Sequence, residues 1–255
     1  MPIKKKDVKK IDAAILIIGN EILSGRTQDL NVAFISDWLN INCGISITEV
    51  RIIPDIEKKI IVNILELSKK FKYVFTTGGI GPTHDDITAS SIAKAFKKEY
   101  EFDKEAYSIL ENYYGKKNFN DARKKMAKMP KGCQLIHNPS SAAPGFKIRN
   151  VFVLPGVPSI IKSMIMNTKK YLVRGSVTYN KSFYLKTFES KIALGLEKIQ
   201  NKFLKKVNIG SYPFFKDGNV GVCIVISSIF MKEIKLCAKH INKMAQVKKI
   251  TLQKN

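Results

Sequence analysis

The chain has 255 residues, 45% of them apolar, and a formal net charge of +23. That length and apolar content fit one large domain, or a domain with a smaller companion, and exclude a disordered chain. The charge is nearly all lysine spread from end to end, with arginine only at 26, 51, 123, 149 and 174, whereas a nucleic-acid face would cluster its cations; attraction of small anionic ligands is the inference retained.

Lys4–Lys10 followed by the apolar run Ile11–Ile18 imitates a signal peptide. Asp12 interrupts the run, however, and Gly19-Asn20-Glu21 stands where a small-residue cleavage site belongs. Ile11–Ile18 reads instead as a first strand covered on both faces. Asn31 to Leu39 has helical spacing, and Ile45–Ile53 alternates as a second strand stopped by Pro54-Asp55. Ile56–Phe71 is spaced as an amphipathic helix, Tyr73–Thr77 as a third strand, and Ile87–Lys98 as a third helix. Phe102 to Met129 reads as helix broken near Gly115–Asn120. Gln134–Ile136 and Val151–Leu154 read as strands, with a further helix from Ser159 and Pro158 near its first turn.

Beyond about Tyr171 the elements shorten. Phe183–Phe188, Lys191–Phe203, Val207–Ser211, Gly221–Ser227 and Met231–Ala245 read strand, helix, strand, strand, helix, a small α+β domain. The expected division is 11–170 and 180–250. The cysteines at 43, 133, 223 and 237 show no C-x-x-C spacing and are assigned to packing in a reducing compartment. No segment reaches the roughly 18 apolar residues of a membrane span, so a cytoplasmic protein without a membrane partner is expected.

Strand–helix alternation implies a doubly wound, mostly parallel sheet that binds ligands outside its strand carboxyl ends. Gly19, Pro54-Asp55 and Gly78-Gly79 all fall at such ends and should share one crevice. The stretch Gly78-Gly79-Ile80-Gly81-Pro82-Thr83-His84-Asp85-Asp86-Ile87-Thr88 lies between a strand and a helix. Its glycines let backbone N–H groups approach a ligand, and a helix N-terminus favours anions. Two adjacent carboxylates would repel a phosphate unless a divalent cation bridges Asp85 or Asp86 to its oxygens. The alternative is a plain cap, but capping uses one Asp and does not call for three glycines. Glu21 can bind metal or a ribose hydroxyl, or stand solvated; Asn31 and Asp55 can touch ligand or cap helices. His84 can ligate metal, act as acid or base, or be inactive, whereas His137 and His240 read as structural or surface residues. Neither G-x-G-x-x-G nor a Walker A sequence follows the first strand, and no Gly-x-Ser-x-Gly elbow occurs.

Gly19-Asn20-Glu21-Ile22-Leu23-Ser24-Gly25, Asn31, Asp55, the Gly78–Thr88 stretch, Ala143-Pro144-Gly145-Phe146 and Leu154–Pro158 appear in the same order as in the molybdopterin-binding (MoaB/Mog-like) domain. They resemble the competence/damage-inducible protein A (CinA) family more closely. The related domain at the N-terminus of eukaryotic FAD synthases shares the Gly-Pro-Thr-His-Asp-Asp pattern. The resemblance spans about residues 11 to 170, and Glu189-Ser190 with Ser211-Tyr212-Pro213 resembles that family's next, KH-like domain. It implies a three-layer α/β/α fold, often oligomeric, that binds a pterin or adenine nucleotide. A homo-oligomer and a phosphorylated small-molecule partner, nucleotide or molybdopterin, are therefore expected.

The resemblance also implies metal-dependent cleavage of ADP-ribose or FAD in one branch, and molybdopterin binding or adenylylation in the other. The amidase domain of full-length CinA proteins is not expected in a chain ending at Asn255. Asp55 and Asp86 match the acidic positions that the molybdopterin branch uses around metal and nucleotide. The usual Glu after Leu-Pro-Gly-Val-Pro is Ser159 here, so its role does not carry over. The expected catalytic residues are Asp55, Asp86 and Glu21. Asp85 and Asp86 would hold Mg, or a transition metal such as Co or Mn. Gly19, Asn31, Gly78, Gly79, Gly81, Thr83 and Gly156 would contact the ligand. Nucleic-acid binding through the small domain is a further alternative. A KH grip needs a G-x-x-G loop, and only Gly218 and Gly221 offer that spacing.

Overall fold

The computed structural model describes residues 9–216 and 219–253. Most of the Lys4–Lys10 run, and Gly218 of the G-x-x-G-like pair, lie outside them. The chain divides into two units, Met1–Gly175 and Ser176–Asn255.

In the first unit the elements run β1 Ile11–Ile18, α1 Asn20–Leu23, α2 Asn31–Cys43, β2 Ile45–Ile53, α3 Glu57–Lys70, β3 Tyr73–Thr77 and α4 Thr88–Ala95. Then come β4 Tyr100–Phe102, α5 Lys104–Tyr114, α6 Asp121–Lys125, β5 Lys128–Pro130, β6 Gln134–Ile136, β7 Gly145–Ile148, β8 Val151–Leu154 and α7 Pro158–Met164, which runs on as a 3-10 turn, Ile165–Tyr171. Six strands form one sheet in the order β2-β1-β3-β8-β7-β6. The four from β2 to β8 are parallel, and β7 is antiparallel to both neighbours. A separate two-stranded ribbon pairs β4 with β5.

The side-chain alternation of β1 explains the layers. Ala14, Leu16 and Ile18 face a core built with Ile60 and Ile64 of α3, Ile92 of α4 and Leu110 of α5. Ala13, Ile15 and Ile17 face a second core with Ile35 and Leu39 of α2 and Ile161 of α7. A strand buried on both faces has no polar side to show, hence its apolar sequence, broken only by the half-buried Asp12 at its start. Two helix termini have a clear local cause. Gly44 stops α2 in the left-handed region, φ 63°, its N–H bonded to Asn40 at 2.9 Å. Asp103 starts α5 by accepting the Ala106 N–H.

Three departures from the sequence expectation stand out. The helix expected over Ile87–Lys98 is only Thr88–Ala95, because Lys97 turns to φ 53°. The broken helix over Phe102–Met129 is present as α5 and α6, but its outer ends are drawn into the β4–β5 ribbon. Gly145–Ile148, read only as a motif, is a strand, because it pairs with both β6 and β8.

In the second unit β9 Tyr179–Leu185, α8 Glu189–Lys202, β10 Asn208–Lys216, β11 Asn219–Ser228, α9 Met231–Val247 and β12 Leu252–Gln253 follow. Its sheet runs β10-β11-β9-β12, with the helices on one face over Phe183, Leu185, Val222, Ile224 and Ile226. On the other face Phe214 lies over Gly221 and Tyr212 over Gly210, where any Cβ would meet the rings. Cys43 and Cys237 are buried; burial pushes the Cys237 thiol up to about 11 and that of Cys133 up to about 12. These thiols stay protonated and inert at neutral pH. No helix among the described residues is long and apolar enough to cross a membrane.

Phe75 of β3 and Phe152 of β8 stack with centroids 4.8 Å apart, both fully buried. Phe152→Ala is expected to cost about 3–5 kcal/mol, read as a lower urea midpoint.

Candidate functional site

The chain passes from β1 outward to β2 and then returns to β3 on the other side of β1. Open sheets of this kind bind ligands at such a reversal, outside the carboxyl ends. Four turns meet there. The Gly19 N–H donates to the Ile53 carbonyl at 3.1 Å, tying the ends of β1 and β2. The Gly78 N–H donates to the Leu154 carbonyl at 3.1 Å, tying β3 to β8. Gly78 has φ 98°, and a Cβ there would stand 2.1 Å from the Ile18 carbonyl oxygen. Gly79 has φ 68°, and a Cβ would stand 2.1 Å from Thr88 Oγ1. Only glycine fits either place.

A cavity of about 400 Å³ opens over these turns, lined by Gly19, Gly78, Gly79 and Gly156 and by Glu21, Asp55, Thr83, Asp85 and Asp86. A second, of about 470 Å³, shares Gly79, Asp86, Gly156 and Val157 with it. Its other walls include Gly81, Tyr114, Arg123, Met126, Pro144 and Ile160. The crevice thus has one acidic lobe and one mostly apolar lobe with a guanidinium.

The acidic lobe has specific electrostatics. Burial raises the Asp55 pKa; the Asn20 N–H, 2.9 Å from its Oδ2, pulls the other way, and the charges of Glu21 and Asp85 add to the rise. Asp85 is lowered, chiefly by the Thr83 hydroxyl, with Lys125 contributing. Thr83 Oγ1 stands 2.5 Å from Asp85 Oδ1 and 2.6 Å from Asp86 Oδ2. One hydroxyl has one proton and cannot donate to both carboxylates. The Thr83 N–H also donates to Asp86 at 2.8 Å, and Lys125 donates to the Thr83 carbonyl.

Neither aspartate caps α4, whose N-cap is Ile87 without a side-chain acceptor. Asp55 likewise does not cap α3, which starts after Ile56. Asn31 lines neither cavity and caps nothing: its amide donates to the Gly156 carbonyl at 2.8 Å, while Asp29 accepts the Val32 N–H at the start of α2. It holds the wall of the site from behind. His84 is exposed beside Asp85 and lines neither cavity. His137 lies 3.7 Å from Glu105 and lines neither cavity, and in the second unit His240 packs edge-on against Phe203.

Sequence reasoning missed Tyr114, Arg123 and Met126. Arg123 stacks on the Tyr114 ring at 4.2 Å from its centroid and donates to the Asn118 carbonyl. These residues reach the crevice only because the β4–β5 ribbon folds α5 and α6 toward it. The scarcity of arginine was the one available hint.

Among the described residues no three His, Cys, Asp or Glu side chains gather as a closed metal cage. A cation that shares its coordination with ligand phosphates needs only one or two carboxylates. Asp85 and Asp86, crowded on one hydroxyl proton, suit such a cation.

A mostly parallel α/β sheet with a glycine-lined, acid-rimmed crevice at its reversal point defines a class of α/β domains that bind ligands at their strand ends. Residues 14–174 match the family model described as "Probable molybdopterin binding domain", and the chain belongs to that family. Residues 177–254 match "FAD synthase, middle domain". A protein of Pyrococcus abyssi is 36% identical over 229 residues, covering 83% of this chain and 89% of its own. A CinA-like protein of Citrifermentans bemidjiense is 37% identical over 161 residues, covering 61% of this chain and 39% of its own. The solved structure of a CinA protein of unknown function from Thermoplasma acidophilum aligns with TM-score 0.59 and 31% identity, covering 64% of this chain and 99% of that one.

Two outcomes test the site's construction. Gly78→Ala forces a left-handed Cβ against the Ile18 carbonyl and should cost about 1–3 kcal/mol or more, seen as a lower denaturant midpoint at unchanged slope. Because the pKa of Asp55 is raised in the fold, the native state binds more protons than the unfolded one above pH 3.8. Stability therefore falls as pH rises through that window. Asp55→Asn should melt higher than the native protein at about pH 7 and equal it at about pH 3, where both side chains are neutral.

Proposed function

We propose that the crevice hydrolyses the diphosphate of a nucleoside diphosphate ester such as ADP-ribose or FAD. The observation that carries this reading is the pair of cavities sharing the Gly79 and Asp86 wall, one rimmed by carboxylates and one apolar. A ligand with a diphosphate between an aromatic base and a polar or second aromatic group matches that division. The match of residues 177–254 to the middle domain of FAD synthase supports a nucleotide of this kind.

In this reading the N–H groups of the Gly78-Gly79-Ile80-Gly81 turn receive the diphosphate oxygens, where glycine allows the backbone to come close. Asp85 and Asp86 would hold a divalent ion, which would neutralise phosphate charge and lower the pKa of a bound water. Asp55 is the base. Its burial strengthens it as a proton acceptor, and the Asn20 N–H fixes its orientation. The oxygen of water attacks one phosphorus, Asp55 takes the proton, and the bridging P–O bond breaks toward the second phosphate. FAD would give FMN and AMP; ADP-ribose would give ribose 5-phosphate and AMP. Glu21, beside Asp55, raises its basicity by like charge. In the apolar lobe Tyr114, Met126 and Arg123 cover an aromatic base.

The test is AMP release from FAD and ADP-ribose with Mg, Mn and Co, followed chromatographically, with molybdopterin binding measured in parallel. AMP should appear with at least one metal and stop on chelation. Asp86→Asn should lower the rate by about a hundredfold or more while the melting temperature stays close to native. The carboxamide oxygen still accepts the Thr83 N–H, so the loop survives. Molybdopterin bound without AMP release from either substrate would replace hydrolysis by pterin binding or adenylylation.

A further inference from the structure

The second unit contains a groove that the proposed hydrolysis does not use. Among the described residues β10 is the edge of its sheet, bonded only to β11. The Ile209 N–H points away from β11, because Gln200 Oε1 accepts it at 2.8 Å while Gln200 Nε2 donates to the Val207 carbonyl at 2.9 Å. With a strand period of two, the N–H groups of Ser211 and Phe215 point the same way, and Pro213 has none to offer. Gln200 thus mimics a neighbouring strand at the start of β10 and leaves the remainder open.

Beside this open edge lies a cavity of about 400 Å³ between α8 and β10. Ala193, Leu196 and Ile209 give it apolar walls; Glu189 and Glu197 give it charge. Ser211 donates its hydroxyl proton to Glu189. The charge is segregated along α8. At 3.6 residues per turn, Glu189, Ala193, Leu196, Glu197 and Gln200 fall on one side, and Lys191, Lys198 and Lys202 fall opposite. In a chain with 44 Lys and Arg against 21 Asp and Glu, a groove whose charged side chains are both carboxylates is a local inversion.

We infer that this groove docks an extended basic peptide segment, added as a strand to the open part of β10. Main-chain bonds form at Ser211 and Phe215. Alternate peptide side chains turn toward α8, where Lys or Arg meets Glu189 and Glu197 and an apolar residue meets Leu196 and Ile209. A nucleic-acid strand is disfavoured, because both carboxylates would face its phosphates. The inference is independent of the reaction proposed for the first unit.

The test uses the full chain and a fluorescein-labelled peptide of alternating Val and Lys, nine residues long to match β10. A Val-Glu peptide of equal length and an oligothymidylate serve as comparisons. Anisotropy should show saturable binding of the Val-Lys peptide alone. Glu189→Gln with Glu197→Gln should weaken it about tenfold or more, with the melting temperature unchanged, whereas Lys198→Gln on the opposite face should not. Glu197→Gln alone, in an exposed position, gives the same direction should the double variant be unstable. No binding of the Val-Lys peptide, equal binding by the carboxamide variants, equal binding of the Val-Glu peptide, or preference for the oligonucleotide overturns the inference.

Discussion

The approach of Gly78 to the carbonyl of Ile18 is the constraint from which the site follows. Strands β1 and β3 pair in parallel up to Ile17 and Thr77, and the chain must then turn without leaving the crevice. A side chain at position 78 would collide with the backbone of β1, 2.1 Å away. With glycine there, the turn folds down onto the strand ends, its N–H is held by Leu154, and Gly79 lies against Thr88. Every wall of the two cavities is placed relative to that turn. Asn31 fixes the facing Gly156 loop by its carbonyl, so the opposing wall is held from the helix side.

The second theme is charge against its background. A chain at +23 could neutralise acidic groups anywhere, yet Glu21, Asp55, Asp85 and Asp86 gather around one cavity. Lys125 touches the loop by its main chain, through the Thr83 carbonyl, rather than by pairing with Asp86. The Thr83 hydroxyl and the nearby charge of Lys125 favour the charged form of Asp85, and Asp85 and Asp86 crowd that one hydroxyl.

Much of this was legible in the sequence, for identifiable reasons. β1 could be read because burial on both faces demands an apolar run, and the Gly78–Thr88 stretch because three glycines and two carboxylates in one turn have few structural uses. Asp55 could be placed at the crevice from Pro54 and a strand end alone. The sequence places Asn31 among the ligand contacts, whereas its amide holds a carbonyl 125 positions away, a partner that no local spacing announces. Tyr114 and Arg123 were invisible for a similar reason. Each sits in an ordinary amphipathic helix or its neighbour, and only the β4–β5 pairing brings them to the cavity. The end of α4 was misjudged because Lys97 adopts a left-handed backbone that its side chain does not announce.

The order of strands in the sheet also has a temporal side. β8 lies next to β3 in space, yet Val74 and its partner Val151 are separated by the whole α4-to-β7 passage. During synthesis β1, β2 and β3 can associate early, while their neighbour is still unmade. The Gly156 wall arrives only after that long loop has closed, at an entropic cost that local pairing does not incur. A nascent chain lacking β8 would expose the stacked face of Phe75 and have half a crevice.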